Sequence, residues 1–348
     1  MNEEISQSLA KSIKDTAVLD KVSDYISNFL QLIDDKIIKA DIAKEMVVGA
    51  LNSKEVYSEE GLEAWLKGRF IENSIMLDKD DYSKALIRAL WLAPNLASQD
   101  FVGGRRRDFA QLWTDTARGF LGEIAVQKFL KKNFDFNMVI DTRRGNVKNF
   151  VSTDVHIEEN GVTREPKAGV SIKTTKFSGR WYELVESQFN VSGVFALVKL
   201  GISRYHFIAY LKSMETIQRI FKKGMELGEL NEDQVKKLSE EIPESTYIPA
   251  YIPGFVKKSD LNLPIHYLKF KLAKKRSGEQ KELRIEEAVG LLSDQEIRNR
   301  EDIRSLGLNQ STPIVLDGIG KKVDGKFYAS SGQLKFGKGE WSRLLNDL

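Results

Sequence analysis

The chain has no cysteine, which excludes disulfides, thiol nucleophiles and thiolate metal sites and suits a reducing interior. Its 348 residues hold only three histidines, His156, His206 and His266, scattered singly, which speaks against a histidine-built zinc centre or a serine–histidine triad. Any metal is therefore expected to be hard and oxygen-ligated. No apolar run approaches the roughly 20 residues that cross a bilayer. The opening MNEEISQSLAK lacks the basic and apolar regions of a signal peptide, so a cytoplasmic location without a membrane partner is expected. An excess of one charge is lacking too: 53 basic residues stand against 50 acidic ones, a formal net charge of +3, so the overall balance does not announce nucleic-acid binding. Partner inference rests on how the charge is distributed. No repeat, low-complexity tract or Walker-type phosphate loop occurs.

What is present suffices for real cores, since 41% of the residues are hydrophobic. Three segments differ in pattern. Residues 1–107 read mostly as helix, with Val22, Ile26, Phe29 and Leu30 at helical spacing. "DDYSKALIRALWLA" is expected to stop before "PNLASQD". This segment serves support or dimerisation. Residues 108–212 carry a helix, "DFAQLWTDTARGFLGEIAVQKFLKKN", then strands at "FNMVI", "NFVSTDVHIE" and "AGVSIKTTKF". A helix at "YELVESQF" and strands at "VFALVKLG" and "RYHFIAYL" follow. That order predicts an α/β core with a mixed sheet. Residues 213–348 begin with charged helix. They continue through "IPESTYIPAYIPGFVKKSDLNLPIHYLKF", where Pro243, Pro249, Pro253 and Pro264 predict broken extended pieces in a connector or substrate-facing arm. Short strands punctuated by Asp-Gly and Gly-Lys turns close this segment.

In the middle segment, a strand carrying Asp154 is followed, across a polar turn, by the apolar strand "VSIKTTKF". Strand side chains alternate, so Ser171, Lys173 and Thr175 share one face while Val170, Ile172 and Thr174 share the other. Asp154, Ser171-x-Lys173 and Glu123 in the preceding helix resemble the core of the PD-(D/E)xK nuclease superfamily, which includes many type II restriction endonucleases. The resemblance spans about residues 108–210. It implies a restriction-endonuclease-like fold, with Asp154 at the metal-binding aspartate, Lys173 at the conserved lysine and Glu123 at the helix glutamate that many members carry. Ser171 stands where the family usually has Glu or Asp, and no proline precedes Asp154 in "STD". Both are departures.

The chemistry can be argued from the residues as well. Phosphodiester hydrolysis brings water to an anion, so the site needs a hard cation such as Mg²⁺. Asp154 and Glu123 can supply its oxygen ligands, with the Ile172 carbonyl as a further one. Lys173 would sit beside the attacking water, because an ammonium is a compact charge that loses its proton when desolvated. Ser171 can hydrogen-bond a metal water without replacing the missing charge. Gly119 and Gly122 allow the Glu123 helix a close approach. Glu158, Glu159 and Glu165 compete as ligands, Glu165 first among them because "REPKAG" returns into the lysine strand; His156 shares the alternating face of Asp154.

Basic patches supply phosphate contacts: Arg105, Arg106 and Arg107; Arg143, Arg144 and Lys148; and Lys176 and Arg180. Residues 213–348 are expected to contact DNA: Asn309, Gln310 and Gln333 are candidates for base-edge contacts, and "HYLKFKLAKKRSGEQKELR" mixes aromatic and basic residues suited to a groove. The expected function is Mg²⁺-dependent cleavage of double-stranded DNA at a specific sequence. The expected assembly is a homodimer matching a palindromic target, with a cognate DNA methyltransferase acting on the same site. A repair or recombination nuclease, a non-catalytic DNA-binding protein and an interaction protein with an ordinary α/β core are the alternatives.

Overall fold

The computed structural model describes residues 3–97, 108–141, 153–261, 265–274 and 281–348. The patches Arg105–Arg107 and Arg143, Arg144 and Lys148 lie outside the described residues, as do the start of the Asp154 strand segment and the "KRSGEQ" part of the aromatic-basic segment. The chain is mixed α/β, with mixed sheets.

The first segment folds as the helical spacing requires. Helices α1 (Glu3–Ala10), α2 (Thr16–Phe29), α3 (Lys36–Asn52) and α4 (Leu62–Trp65) bury Val22, Ile26 and Leu30 completely. Asp15 and Asp35 start α2 and α3 by accepting the amides of Ala17 and Ile38, each at 2.9 Å. Strand β1 (Ser74–Leu77) and helix α5 (Lys79–Ala97) follow. α5 continues through Pro94 instead of stopping before it; a proline so near the helix end forfeits little of the hydrogen-bond ladder.

Helix α6 (Phe109–Phe134) is capped by Asp108, which accepts the Gln111 amide at 2.8 Å, and it ends at Asp135 in the left-handed conformation. Strands β2 (Met138–Ile140), β3 (Val155–Glu159) and β4 (Val162–Arg164) form a small antiparallel sheet. β5 (Val170–Lys176) lies at the edge of a four-stranded sheet. It is parallel to β7 (Val194–Leu200), which is antiparallel to β8 (Ile248–Lys257), itself antiparallel to β1. A third sheet joins β6 (Trp181–Leu184), β9 (Tyr267–Lys274), β10 (Lys281–Leu292), β11 (Ile314–Leu316) and β12 (Lys326–Ser330).

Three segments differ from expectation. "YELVESQF" is half strand, β6, and half helix, α7 (Glu186–Val191). "RYHFIAYL" is helix α8 (His206–Ser213): its buried residues are His206, Ala209 and Tyr210, a helical spacing, and the His206 ring accepts the Ser203 amide at 2.9 Å. Beyond it the expected charged helices form, as α9 (Thr216–Glu226) and α10 (Glu232–Glu241). The proline-rich piece supplies β8, buried from Ile248 to Val256 and carrying Pro249 and Pro253, and the start of β9, rather than a connector or arm; Pro264 lies outside the described residues. β8 tolerates Pro253 because a bulge falls there: Leu197 pairs with Gly254 and Lys199 with Tyr251, leaving one extra residue on β8 beside Pro253. Gly254, at φ 144°, admits the Lys335 carbonyl, which a Cβ would meet at 2.2 Å.

The four-stranded sheet thus takes β1 from residues 1–107, β5 and β7 from 108–212 and β8 from 213–348. Alternation along β7 divides two cores. Ala196, Val198 and Leu200 pack with α5 and α6, whereas Phe195 and Leu197 pack with Tyr182, Leu184 and Phe327 of the third sheet. Helices α11 (Asp294–Asn299) and α12 (Glu301–Arg304) cover that sheet's outer side, and α13 (Lys338–Asp347) brings Trp341 against Phe129 and Phe255. Among the described residues, no helix is long and apolar enough to cross a membrane.

The segments are tied at Glu55, whose side chain is 0% exposed. Its carboxylate accepts Lys199 Nζ at 2.6 Å, Ser331 Oγ at 2.6 Å, Tyr251 OH at 2.5 Å, and Trp65 Nε1 and Ser53 Oγ at 3.1 Å. Burial alone would raise this carboxyl, but Lys199, Arg69 and the Lys199 and Ser331 hydrogen bonds hold it down to about 2. Its folded value lies below the ordinary 4.5, so its stabilisation is complete above about pH 4.5 and is lost as pH falls toward 2. Glu55→Ala is expected to cost about 3–5 kcal/mol by leaving Lys199 buried without its carboxylate. Urea midpoints at neutral pH check the cost, and the same series at low pH should show a narrower gap between variant and wild type.

Candidate metal-dependent active site

Asp154 sits where β3 and β5 meet. Thr153 builds the junction: its hydroxyl donates to the Val155 carbonyl at 2.8 Å and accepts the Val170 amide at 3.2 Å. The Asp154 amide then donates to the Val170 carbonyl at 2.8 Å, and the Ile172 amide donates to Asp154 Oδ2 at 2.6 Å. The Ser171 side chain adds a hydrogen bond to the same carboxylate. A strand residue's N–H and C=O point to the same side, so the Ile172 carbonyl is directed to the Asp154 side of β5, away from β7.

Helix α6 delivers Glu123 from one face of β5. At Gly122 a Cβ would lie 2.1 Å from Thr174 Oγ1, so only glycine permits this approach. Gly119 plays no such part, because a Cβ there would meet nothing within 4 Å. Thr174 faces α6, and alternation therefore puts Lys173 on the opposite face with Ser171. Glu123 and Lys173 reach Asp154 from different faces of one strand.

The electrostatics follow from that geometry. Burial raises the Glu123 carboxyl well above the ordinary range, the charges of Asp154 and Asp141 push it further, and Arg88 of α5 opposes them. Burial also raises Asp154, against the pull of the Ile172 amide, Lys173 and Ser171, while Asp141 pushes the same way as burial. Lys173 is lowered by burial, and the charges of Asp154 and Glu183 only partly offset that.

Asp154, Ser171, Ile172 and Lys173 thus stand together, and Glu123 joins them through Asp154. The hairpin carboxylates have other settings. Glu159 pairs with Arg164 at 2.7 Å, Glu158 is exposed beside Gln127 and Lys128, and Glu165, its side chain 60% exposed, lies 3.9 Å from His156 Nε2. One expected phosphate contact is corrected: Arg180 is buried and donates to Asp317 at 3.1 Å. Gln333 is half-buried, and its amide donates to buried Glu287 at 2.6 Å. Lys176 is exposed. Asn309 is exposed too, its side chain accepting the Ser311 amide at 2.9 Å.

Asp141 and Arg88 were not singled out from the sequence. Asp141 follows β2 directly, and its amide donates to the Asp154 carbonyl at 3.1 Å. The signal was the acid ending "NMVID", but only strand pairing puts it opposite Asp154.

Hard carboxylate oxygens beside a backbone carbonyl suit Mg²⁺, which commonly takes one or two carboxylates and keeps several waters. Crowded, buried carboxylates with raised protonation are what a cation would relieve. Among the described residues, no three His, Cys, Asp or Glu side chains form a ready-made metal-binding group. No family model, curated protein or solved structure matches this chain.

Because Glu123 holds its proton above the ordinary glutamate range, a divalent ion must displace that proton. Mg²⁺ affinity is expected to rise with pH, with proton release on binding, and Glu123→Gln should weaken binding and flatten the pH dependence. Calorimetry in two buffers of different ionisation enthalpy checks both.

Proposed function

We propose that this chain is a Mg²⁺-dependent endodeoxyribonuclease that cuts double-stranded DNA at a specific sequence, in the manner of a type II restriction enzyme. The observation that carries the reading is Asp154, held by the Ile172 amide and approached by Lys173 from one face of β5 and Glu123 from the other. Asp154, Glu123 and the Ile172 carbonyl would hold the ion. Bound there, it supplies positive charge to the phosphoryl oxygens and lowers the pKa of its water.

The chain's own groups have distinct parts. Ser171 and the Ile172 amide fix the Asp154 carboxylate against β5. Lys173, desolvated and with its proton loosened, is placed to hold the attacking water or to take up its proton. Glu123 enters on a helix that Gly122 seats against β5, so its position is set by packing rather than by a loop. A homodimer would present two such sites to the two strands, and a cognate methyltransferase would protect the host's own sites.

The test is incubation of mixed plasmid and phage DNA with the protein in Mg²⁺ or EDTA, beside Lys173→Ala and Asp154→Ala. Discrete fragments that require Mg²⁺ are expected, with a loss of about 100-fold or more in each variant. A smear would favour a repair or structure-selective nuclease. Salt-sensitive binding without cleavage would sink the enzyme in favour of a DNA-binding protein.

A further inference from the structure

Thr153 is 3% exposed and stands immediately before Asp154. Its hydroxyl is used to capacity. The proton goes to the Val155 carbonyl at 2.8 Å, and the lone pairs accept the Val155 amide at 3.3 Å and the Val170 amide at 3.2 Å. The first two bonds close a turn around Asp154, while the third crosses 17 positions to the first residue of β5. The Asp154 amide donates to the Val170 carbonyl at 2.8 Å. Val170 is therefore held through both of its backbone groups, which lie on the same edge of the strand. Asp154 is pinned to β5 at two points before its side chain makes any contact. The carboxylate then meets the Ile172 amide at 2.6 Å, two residues further along β5. Ser171 acts on that carboxylate, whereas Thr153 acts on the backbone that carries it.

We propose that Thr153 is a positioning residue: its hydroxyl holds Asp154 in the orientation that phosphodiester cleavage requires. A valine has the same shape but would leave the Val170 amide buried without its acceptor. That unmade bond is relieved by moving the backbone around Asp154 away from β5, which also loosens the Ile172 contact. A reacting group displaced by about 1 Å can lose on the order of 100-fold in rate. Branching at Cβ restricts χ1, so threonine holds the hydroxyl more firmly than serine would. The role in cleavage rests on the nuclease reading above; the hold on Asp154 does not.

Thr153→Val and Thr153→Ser are compared with the wild type by amide hydrogen exchange and by single-turnover cleavage of supercoiled plasmid DNA in Mg²⁺. Thr153→Val should speed exchange of the Ile172 amide at least tenfold, leave the β7 amides within twofold, and slow cleavage at least tenfold with plasmid binding in EDTA within twofold. Thr153→Ser should stay within threefold of the wild type in both exchange and cleavage. An Ile172 amide still protected to within twofold in Thr153→Val would overturn the proposal while the nuclease reading stands. A loss of protection shared by β7 would overturn it too, as the mark of a general structural role, and so would undiminished cleavage with a freed Ile172 amide. A wild type that cuts no DNA defeats the nuclease reading, and the exchange ratio then decides whether Thr153 holds Asp154. Should Thr153→Val misfold, Thr153→Ser decides: protection of Ile172 within threefold supports the hydroxyl as the holding group, and a tenfold loss overturns it.

Discussion

The ion pair between Glu55 and Lys199 is the constraint on which the arrangement of the strands depends. Removing a carboxylate and an ammonium from water costs several kcal/mol per ion unless every lone pair and proton is matched. Here the matching donors come from the loop after α3, from α4, from β7, from β8 and from the turn at Ser331. Arg69 joins the same region, donating to the carbonyls of Pro253 and Ser331 at 3.0 and 3.1 Å. None of these segments can shift alone without leaving a buried charge unmatched. The consequence reaches the site through register: Lys199 pairs with Thr175 on β5, and Lys173 pairs with Leu197. A slip of one residue would move Lys173 to the α6 face and Thr174 away from Gly122.

The site itself uses the edge of that sheet. Among the described residues, β5 has a strand partner, β7, on one side only, and on its other side it bonds Asp154 through the Val170 carbonyl and the Ile172 amide. A carboxylate standing in for a strand partner is oriented by backbone, which gives it less freedom than a side chain on a loop. It also brings two electrostatic surroundings together on one residue. Lys173 acts on Asp154 from one face of β5 and Glu123 lies on the other, while Asp141 acts on it from the end of β2. Only a group at the strand edge can touch both.

Much of this frame was legible in the sequence because it is periodic. α6, β5 and β7 follow from helical or alternating spacing, and Asp154, Ser171 and Lys173 stand together as the strand pattern implied. What failed was tertiary. β8 was hidden by its prolines, and the tolerance of Pro253 depends on a bulge that exists only against β7. The aromatic and β-branched character of "RYHFIAYL" favours a strand, but burial of His206, Ala209 and Tyr210 on one side wins. Arg180 looked like a surface cation until Asp317, 137 positions later, was folded beside it. Asp141 was passed over for the same reason, since ladder partners cannot be read from one strand alone.

The serine at position 171 has a physical reason within this fold. Its side chain is buried on the face that β6 covers, and its own carbonyl accepts the Tyr182 hydroxyl at 3.4 Å. A carboxylate there would be desolvated beside Asp154, and the neighbouring aromatic and aliphatic side chains Tyr182, Phe195 and Leu197 offer it little in return. A small hydroxyl instead donates to Asp154 and adds no charge to that core. Asp141 is only half-buried, at the mouth of the β2–β3 ladder, where hydration offsets part of the cost of a second negative charge. Charge placed there still acts on Asp154 and Glu123. The hydroxyl at position 171 keeps a further charge out of the core against the third sheet, while the charge of Asp141 acts on Asp154 and Glu123 from the end of β2.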